Sequence, residues 1–170
     1  KLEEINKICK KFNLLHFEDN CESLGAKIKN RKTGTYGDIS THSFFFSHHI
    51  STMEGGMLST DNFEIYCIAK SLRAHGWTRD LPKNNPLINK KKQGIYEEYK
   101  FILPGYNVRS GELNAAAGLE QLKKLNKMIS IRRKNLNLFN KLFKNHNKFI
   151  IQKTNDYLSS FCFPLVLKSK

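Results

Sequence analysis

Apolar residues recur at helical spacing from the start of the chain. Leu2, Ile5, Ile8, Cys9 and Phe12 predict a helix over 1–12 with Asn13 as its stop. Leu14-Leu15-His16-Phe17 is a short unbroken run, the pattern of a buried strand. The acidic cluster Glu18-Asp19-Asn20-Cys21-Glu22 follows at its carboxyl end. Ligands of open α/β sheets gather at the carboxyl ends of strands, so the cluster is well placed for a site. Lys27 to Gly37 is polar and punctuated by glycine, a hairpin-like excursion. Asp38 to Phe44 reads as a second core strand, 45–54 as a loop, and Gly56 to Thr60 as a short strand. Asp61 with Glu64 three residues later resembles a capping box that opens a helix to Leu72.

From 75 to 110 the periodicity breaks at His75-Gly76-Trp77, Pro82, Pro86 and Pro104-Gly105, and a loop of that length is functional or mobile. Helical spacing returns over Gly111 to Leu125, where Ala115-Ala116-Ala117-Gly118 allows close packing. A second helix, over about 127–146, carries Met128, Ile131, Leu136, Phe139, Leu142 and Phe143. Phe149-Ile150-Ile151 and Phe161 to Leu167 read as strands. The order describes an α/β protein without internal repeats.

Composition narrows the class. A chain of 170 residues suits one domain, 39% hydrophobic content supplies a core, and no apolar run approaches a membrane span. Lys1-Leu2-Glu3-Glu4-Ile5 has no initiator methionine and no signal-peptide design, so the chain reads as cut from a longer one. The net charge of +14 is uneven: residues 121–170 hold 12 Lys/Arg against Asp156 alone. Such a segment could be a nucleic-acid surface. The lysines, however, alternate with asparagines opposite an apolar stripe, so they read as a solvated helix face; no nucleic-acid partner is expected. Cys9, Cys21, Cys67 and Cys162 have no metal-ligand spacing, which predicts buried, reduced thiols in a cytoplasmic protein.

The segment with the most chemistry is Ser43-Phe44-Phe45-Phe46-Ser47-His48-His49-Ile50-Ser51-Thr52-Met53-Glu54-Gly55-Gly56. It resembles the cofactor-lysine segment S-F-x-x-x-K-x-[IL]-[ST]-T-x-E-G-G of the DegT/StrS sugar aminotransferases, which depend on pyridoxal phosphate (PLP). Counting back from Glu54-Gly55-Gly56, the lysine position falls on His48. A primary amine condenses with an aldehyde and an imidazole does not, whereas an imidazole moves protons near neutral pH. Further matches follow in order. Glu18 to Ala26 resembles E-D-x-x-[QE]-x-x-G-A, and Gly37-Asp38 resembles the G-D before the cofactor strand. Leu103-Pro104-Gly105-Tyr106-Asn107-Val108-Arg109 with Ala115 to Gly118 and Gln121-Leu122 resembles G-x-N-x-R … A-x-x-G-x-x-Q-L. Any one alone is weak; the ordered set is specific.

The resemblance implies part of the aspartate-aminotransferase-like (PLP fold type I) large domain over 1–125, in α/β/α layers. The linking helix and the start of the small C-terminal domain follow over 126–170. It implies that Asp19 pairs with the pyridine nitrogen, that Glu22 stands where many members have Gln facing the ring's phenolic oxygen, and that Ser43 binds the cofactor phosphate. Asn107 would reach the phosphate of a neighbouring subunit's cofactor, in a homodimer with shared sites. Each also has a structural reading: Asp19 as a strand-end cap, Glu22 as an exposed helix residue, Ser43 bonded to backbone, Asn107 in a turn. His75, Trp77 and Arg79 would contact sugar nucleotide or cosubstrate, with Trp77 equally suited to anchoring the loop. Arg109 would pair with an acid or bind a carboxylate. His49 rivals His48 as base, but His48 holds the register. A metal site from His42, His48, His49 and Glu54 is disfavoured, since adjacent histidines do not readily point at one ion.

The combination of His48 and Glu22 is closest to a dehydratase branch of that family. It implies C3 deoxygenation of a nucleotide-linked 4-keto-6-deoxyhexose, GDP-4-keto-6-deoxy-D-mannose. The cofactor would be held noncovalently as pyridoxamine phosphate (PMP) and restored by glutamate, with His48 as general acid and base. A sister branch uses an iron–sulfur cluster and clustered cysteines where this chain has His75 to Leu81, so no cluster is expected. The alternatives are an ordinary sugar aminotransferase, which His48 opposes, and a catalytically inactive binding module. The isolated segment is expected to be inactive, because family members place phosphate-binding and ring-stacking residues before residue 1.

Overall fold

Helix α1 (Leu2–Lys11) forms where the apolar stripe predicts it, with Glu3 and Glu4 in its first turn and Lys10 and Lys11 in its last. That placement suits the helix dipole. Asn13, at φ 52°, turns the chain away from the helix axis. The structure, a computed structural model, describes residues 1–88, 95–155 and 157–168.

Strand β1 is Phe17–Asp19, not the Leu14–Phe17 run; Leu14 and Leu15 are exposed. β2 (Lys27–Ile28) and β3 (Arg31–Lys32) make the predicted hairpin through Lys29 and Asn30, both at positive φ. β4 (Ile39–Ser43) pairs in parallel with β1, and β5 (Gly56–Ser59) pairs antiparallel with β4, giving the order β1-β4-β5. Pairing, not apolarity, sets the bounds of β1: Phe17 lies opposite Ile39, Glu18 opposite Ser40 and Asp19 opposite Thr41.

Helix α2 (Phe63–Leu72) is capped by Asn62 rather than Asp61; the Asn62 side chain accepts from the N–H groups of Glu64 and Ile65 at 2.9 and 3.1 Å. The predicted irregular span holds one short helix, α3 (Ile95–Glu98), and two isolated bridges, Ala74–Asn107 and Trp77–Phe101; its residues 89–94 lie outside the described residues. The two predicted C-terminal helices are one, α4 (Glu112–Phe143), of 32 residues. Leu125-Asn126-Lys127 contains neither Gly nor Pro, so nothing stops the helix between them. β6 (Phe149–Ile150) and β7 (Val166–Leu167) pair antiparallel. The strand expected from Phe161 is shortened to two residues, because Pro164 within the run cannot donate to a ladder. Of the four cysteines only Cys67 is buried; Cys9 and Cys21 are half-buried and Cys162 is exposed, against the expectation of buried thiols.

The strands have two unlike faces, since successive side chains alternate. Glu18, Ser40 and His42 are buried on one; Asp19, Thr41 and Ser43 lie on the other. On the buried face the Glu18 carboxylate accepts three backbone N–H groups, from Gly34 at 2.8 Å, Gly37 at 2.6 Å and Tyr36. Asn20 Nδ2 donates to His42 Nδ1 at 3.2 Å, and the other ring nitrogen reaches Ser40 Oγ at 3.2 Å. Burial holds the His42 imidazole below its ordinary pKa, as suits a neutral ring that accepts at Nδ1. Gly34, at φ +81°, lies so close that a Cβ would stand 2.8 Å from the His42 ring. The Gly37-Asp38 motif is a lock on β1. Gly37 lies against the His16 carbonyl, and Asp38 Oδ2 accepts the His16 N–H at 2.8 Å.

Replacing Glu18 by Ala strands three N–H donors around a buried void. Glu18→Ala is expected to lower unfolding stability by about 3 kcal/mol, read by urea denaturation, with Glu18→Gln losing less because its amide oxygen still accepts.

Candidate functional site

Asp19 and Ser43 reach the open face because they end adjacent parallel strands on the same side of the sheet. Asp19 Oδ1 accepts the Cys21 N–H at 3.1 Å, and Cys21 Sγ lies 3.8 Å from Thr41 Oγ1. Hydrogen bonds from the Cys21 side chain and backbone hold the Asp19 carboxyl below the usual aspartate range. Thr41 and the nearby charge of His48 add to the effect, so Asp19 is ionised at neutral pH. Desolvation, with the bond to Asp19, pushes the Cys21 thiol up and keeps it protonated. Ser43 Oγ accepts the Phe45 N–H at 3.3 Å, a long bond that leaves its hydroxyl proton to be donated elsewhere.

The loop after Ser43 is closed at its neck. Phe44 N–H donates to Gly55 O at 2.9 Å, Thr52 N–H donates to Phe44 O at 2.8 Å, and Thr52 Oγ1 donates to Glu54 O at 2.8 Å. Helix α4 fastens that neck from outside: Asn114 Nδ2 donates to Thr52 O at 2.6 Å and to Glu54 O at 3.3 Å. One turn on, Gly118 faces Thr52, where a Cβ would come within 2.8 Å of the threonine methyl. The small residues of α4 are thus needed at the loop.

His48 sits half-buried beyond this neck, with its ring centroid 6.1 Å from Phe45 and 5.0 Å from Phe161. Its Nδ1 is buried and has no hydrogen-bond partner among the described residues. His48 borders a cavity of about 490 Å³ with Phe46, Ser51, Gln121, Arg132 and Phe161. His49 shares that wall but is 2% exposed, and its Nε2 is engaged with the Ser159 carbonyl at 3.1 Å. Burial lowers the His49 pKa, so it is a neutral fastening group rather than an available base.

The remaining sequence candidates lie elsewhere. Glu22 is exposed in the turn after β1, not on a helix, and has no partner among the described residues. Asn107 is exposed on the segment bridged to Ala74. His75, at φ 61°, is exposed and donates its N–H to Tyr106 O at 2.8 Å. Gly76 and Gly105 cross backbone against backbone there, with no room for a Cβ on either. The Arg79 guanidinium lies 4.1 Å over the Trp77 ring and 4.0 Å from Asp80. Trp77 donates its indole N–H to Glu98 O and stacks on Phe101 at 5.7 Å, an anchor for the loop. Arg109 is exposed. Asp19 and Ser43 thus end adjacent strands, with His48 within electrostatic reach of Asp19, while His75, Arg79, Asn107 and Arg109 belong to a second segment. Sequence reasoning passed over Cys21, Asn114, Arg132 and Phe161. Asn114 had a signal, standing four residues before Gly118 on one helix face; Phe161 had none.

The set on the open face fits a phosphorylated pyridine. An ionised carboxylate suits a pyridinium N–H and a hydroxyl suits a phosphate. Among the described residues no cluster of three or more His, Cys, Asp or Glu is placed to hold a metal ion, and no helix is long and apolar enough to cross a membrane.

Residues 1–170 match the DegT/DnrJ/EryC1/StrS aminotransferase family. The chain is 49% identical, over 98% of its length and 43% of the relative's, to GDP-4-keto-6-deoxy-D-mannose 3-dehydratase of Escherichia coli O55:H7. It is 48% identical, over 98% of its length and 42% of the relative's, to the enzyme of the same name from Yersinia pseudotuberculosis. Among solved structures, the E. coli GDP-4-keto-6-deoxy-D-mannose-3-dehydratase with bound hydrated PLP superposes with a TM-score of 0.91 at 49% identity, covering 98% of this chain and 43% of that one. The chain thus spans less than half the length of the curated relatives it matches. The fold is the α/β fold of PLP-dependent, aspartate-aminotransferase-like (fold type I) large domains.

Because the Cys21 thiol is the first cause of the low Asp19 pKa, its removal is expected to move the Asp19 titration upward toward the ordinary range. Carboxyl ¹³C NMR of the unchanged protein and Cys21→Ala checks this; coincident curves would assign the shift elsewhere.

Proposed function

This chain belongs to the DegT/DnrJ/EryC1/StrS aminotransferase family, and we propose that the full-length protein removes the C3 hydroxyl of GDP-4-keto-6-deoxy-D-mannose with PMP as cofactor and glutamate as amino donor. The observation that carries this reading is His48. An imidazole stands where the family motif has its lysine, on a closed loop beside the face that holds Asp19 and Ser43. The relatives named GDP-4-keto-6-deoxy-D-mannose 3-dehydratase support the substrate, and the solved relative with bound hydrated PLP supports the cofactor.

When bound, PMP supplies an amino group for the sugar's 4-keto carbon and a ring that withdraws electron density. Asp19, ionised, accepts the pyridinium N–H and keeps that nitrogen protonated. Ser43 donates its hydroxyl to the phosphate. Glu22, in the turn after β1, would face the ring's phenolic oxygen. His48 takes a proton at a ring nitrogen and delivers one to the departing C3 hydroxyl, a role that typically contributes roughly 10²–10⁴-fold. It forms no tether, so the cofactor is held noncovalently. His75 and Arg79 lie on the segment assigned to sugar nucleotide, and Arg109 is placed for a carboxylate. Asn107, outside the Asp19–His48 group, serves the cofactor phosphate of a second copy, which makes the protein a homodimer with shared sites. Residues 1–125 are the cofactor-binding portion; α4 continues through that boundary as the link to the small domain begun within 126–170.

Full-length protein incubated with PMP, glutamate and GDP-4-keto-6-deoxy-D-mannose is expected to yield a product that has lost the C3 oxygen, by mass spectrometry. An amino group gained at C4 would support the aminotransferase instead, and bound cofactor without product an inactive binding module. Borohydride is expected to trap PLP on His48→Lys and not on the unchanged protein; trapping on both would place the reactive amine at another residue.

A further inference from the structure

We propose that Phe161 is a positioning residue for His48, held in place by Arg132 and His49. The proposal rests on the reading of His48 as the base. A histidine base ordinarily takes its orientation from a hydrogen bond at its second ring nitrogen. His48 has no such bond among the described residues: its Nδ1 is buried and unpartnered, and the recorded bond at this residue runs from its backbone N–H to Phe45 O. It also borders a cavity of about 490 Å³, which leaves its ring room to turn. What meets the imidazole is two aromatic rings. Phe45, at 6.1 Å, belongs to the same loop and moves with it. Phe161, at 5.0 Å with planes 40° apart, comes from a segment more than a hundred residues away, so it fixes the ring relative to the scaffold.

That segment is fastened by its backbone. Arg132 Nη1 donates to Ser160 O at 3.0 Å and to Phe161 O at 3.5 Å, and His49 Nε2 donates to Ser159 O at 3.1 Å. Arg132 forms no ion pair among the described residues. Three consecutive carbonyls are thus held by one side chain of α4 and by the residue next to His48.

The test uses the full-length protein. Phe161→Leu keeps apolar bulk without the ring and is expected to lower kcat roughly 10- to 100-fold, while KM for the sugar nucleotide and affinity for PMP stay within about twofold. Phe161→Tyr, which keeps the ring, is expected to restore most of kcat. In a His48→Asn background, Phe161→Leu is expected to cost nothing further, because the two act as one unit. An equal loss in both backgrounds would overturn the proposal. A second readout is independent of turnover: the His48 imidazole C–H resonances, identified by their absence in His48→Asn, should shift in Phe161→Leu as the ring current is lost. Unmoved resonances would overturn the proposal. If the unchanged protein removes no C3 oxygen, the dehydratase reading fails while the resonances still decide the positioning claim.

Discussion

The site depends on the register between β1 and β4, and that register is held by a buried carboxylate. A slip of one residue in a strand exchanges its two faces. Here it would turn Asp19 inward and leave Glu18 in solvent. Glu18 prevents this, because its oxygens satisfy the N–H groups of Gly34, Tyr36 and Gly37, which have no other partner among the described residues. Hydrogen bonds to a charged group contribute about 1.5–3 kcal/mol each, and unsatisfied buried donors cost comparable amounts. The open face is therefore placed by what is bonded on the closed one. Adjacent carboxylates have opposite functions because the strand alternates.

A second constraint holds the loop that carries His48. Its neck is closed by backbone bonds between Phe44, Thr52 and Gly55, while Asn114 and Gly118 of α4 grip Thr52 from the far side. Neither suffices alone. The neck bonds fix the loop's shape, and the helix fixes where that shape points. The basic segment of the chain also divides by chemistry. Most of the α4 lysines are solvated, but Arg132 and Arg133 turn to the protein and donate to the carbonyls of Leu158, Ser160, Phe161 and Gly25. The planar guanidinium offers several donors in fixed directions, which an ammonium on a flexible stem does not.

Legibility in the sequence followed the range of the interactions. Motif order pointed to Asp19, Ser43 and His48, because the family pattern records chemistry at fixed spacings; the structure sets Asp19 and Ser43 at the ends of adjacent strands and His48 on the loop that follows Ser43. Helical spacing located α1, and a capping signal one residue off located α2. Helical spacing also split α4 into two helices between Leu125 and Lys127, although no breaker is present there. Apolarity misplaced β1, since Leu14 and Leu15 are exposed while the polar Glu18 is buried. That inversion arises from loop 34–37, whose contact with Glu18 spans sixteen residues or more and leaves no local trace. The bonds of His49 to Ser159 and of Arg132 to Ser160 are likewise tertiary. They link segments whose sequences show no periodic or charge relation.

Exchanging a lysine for a histidine alters the demands on everything around it. A lysine joined to its cofactor is oriented by the covalent bond, so its surroundings have little to hold. An imidazole is oriented only by its neighbours, and here those neighbours are aromatic rather than hydrogen-bonding. A carboxylate partner would fix the ring and also favour its charged form. Aromatic rings can orient an imidazole by packing alone. The polar fastening is moved one step outward, to carbonyls 159–161 and the neck at Thr52. If His48 is the base, the ring of Phe161 that flanks it is anchored through its backbone by Arg132 of α4 and by His49.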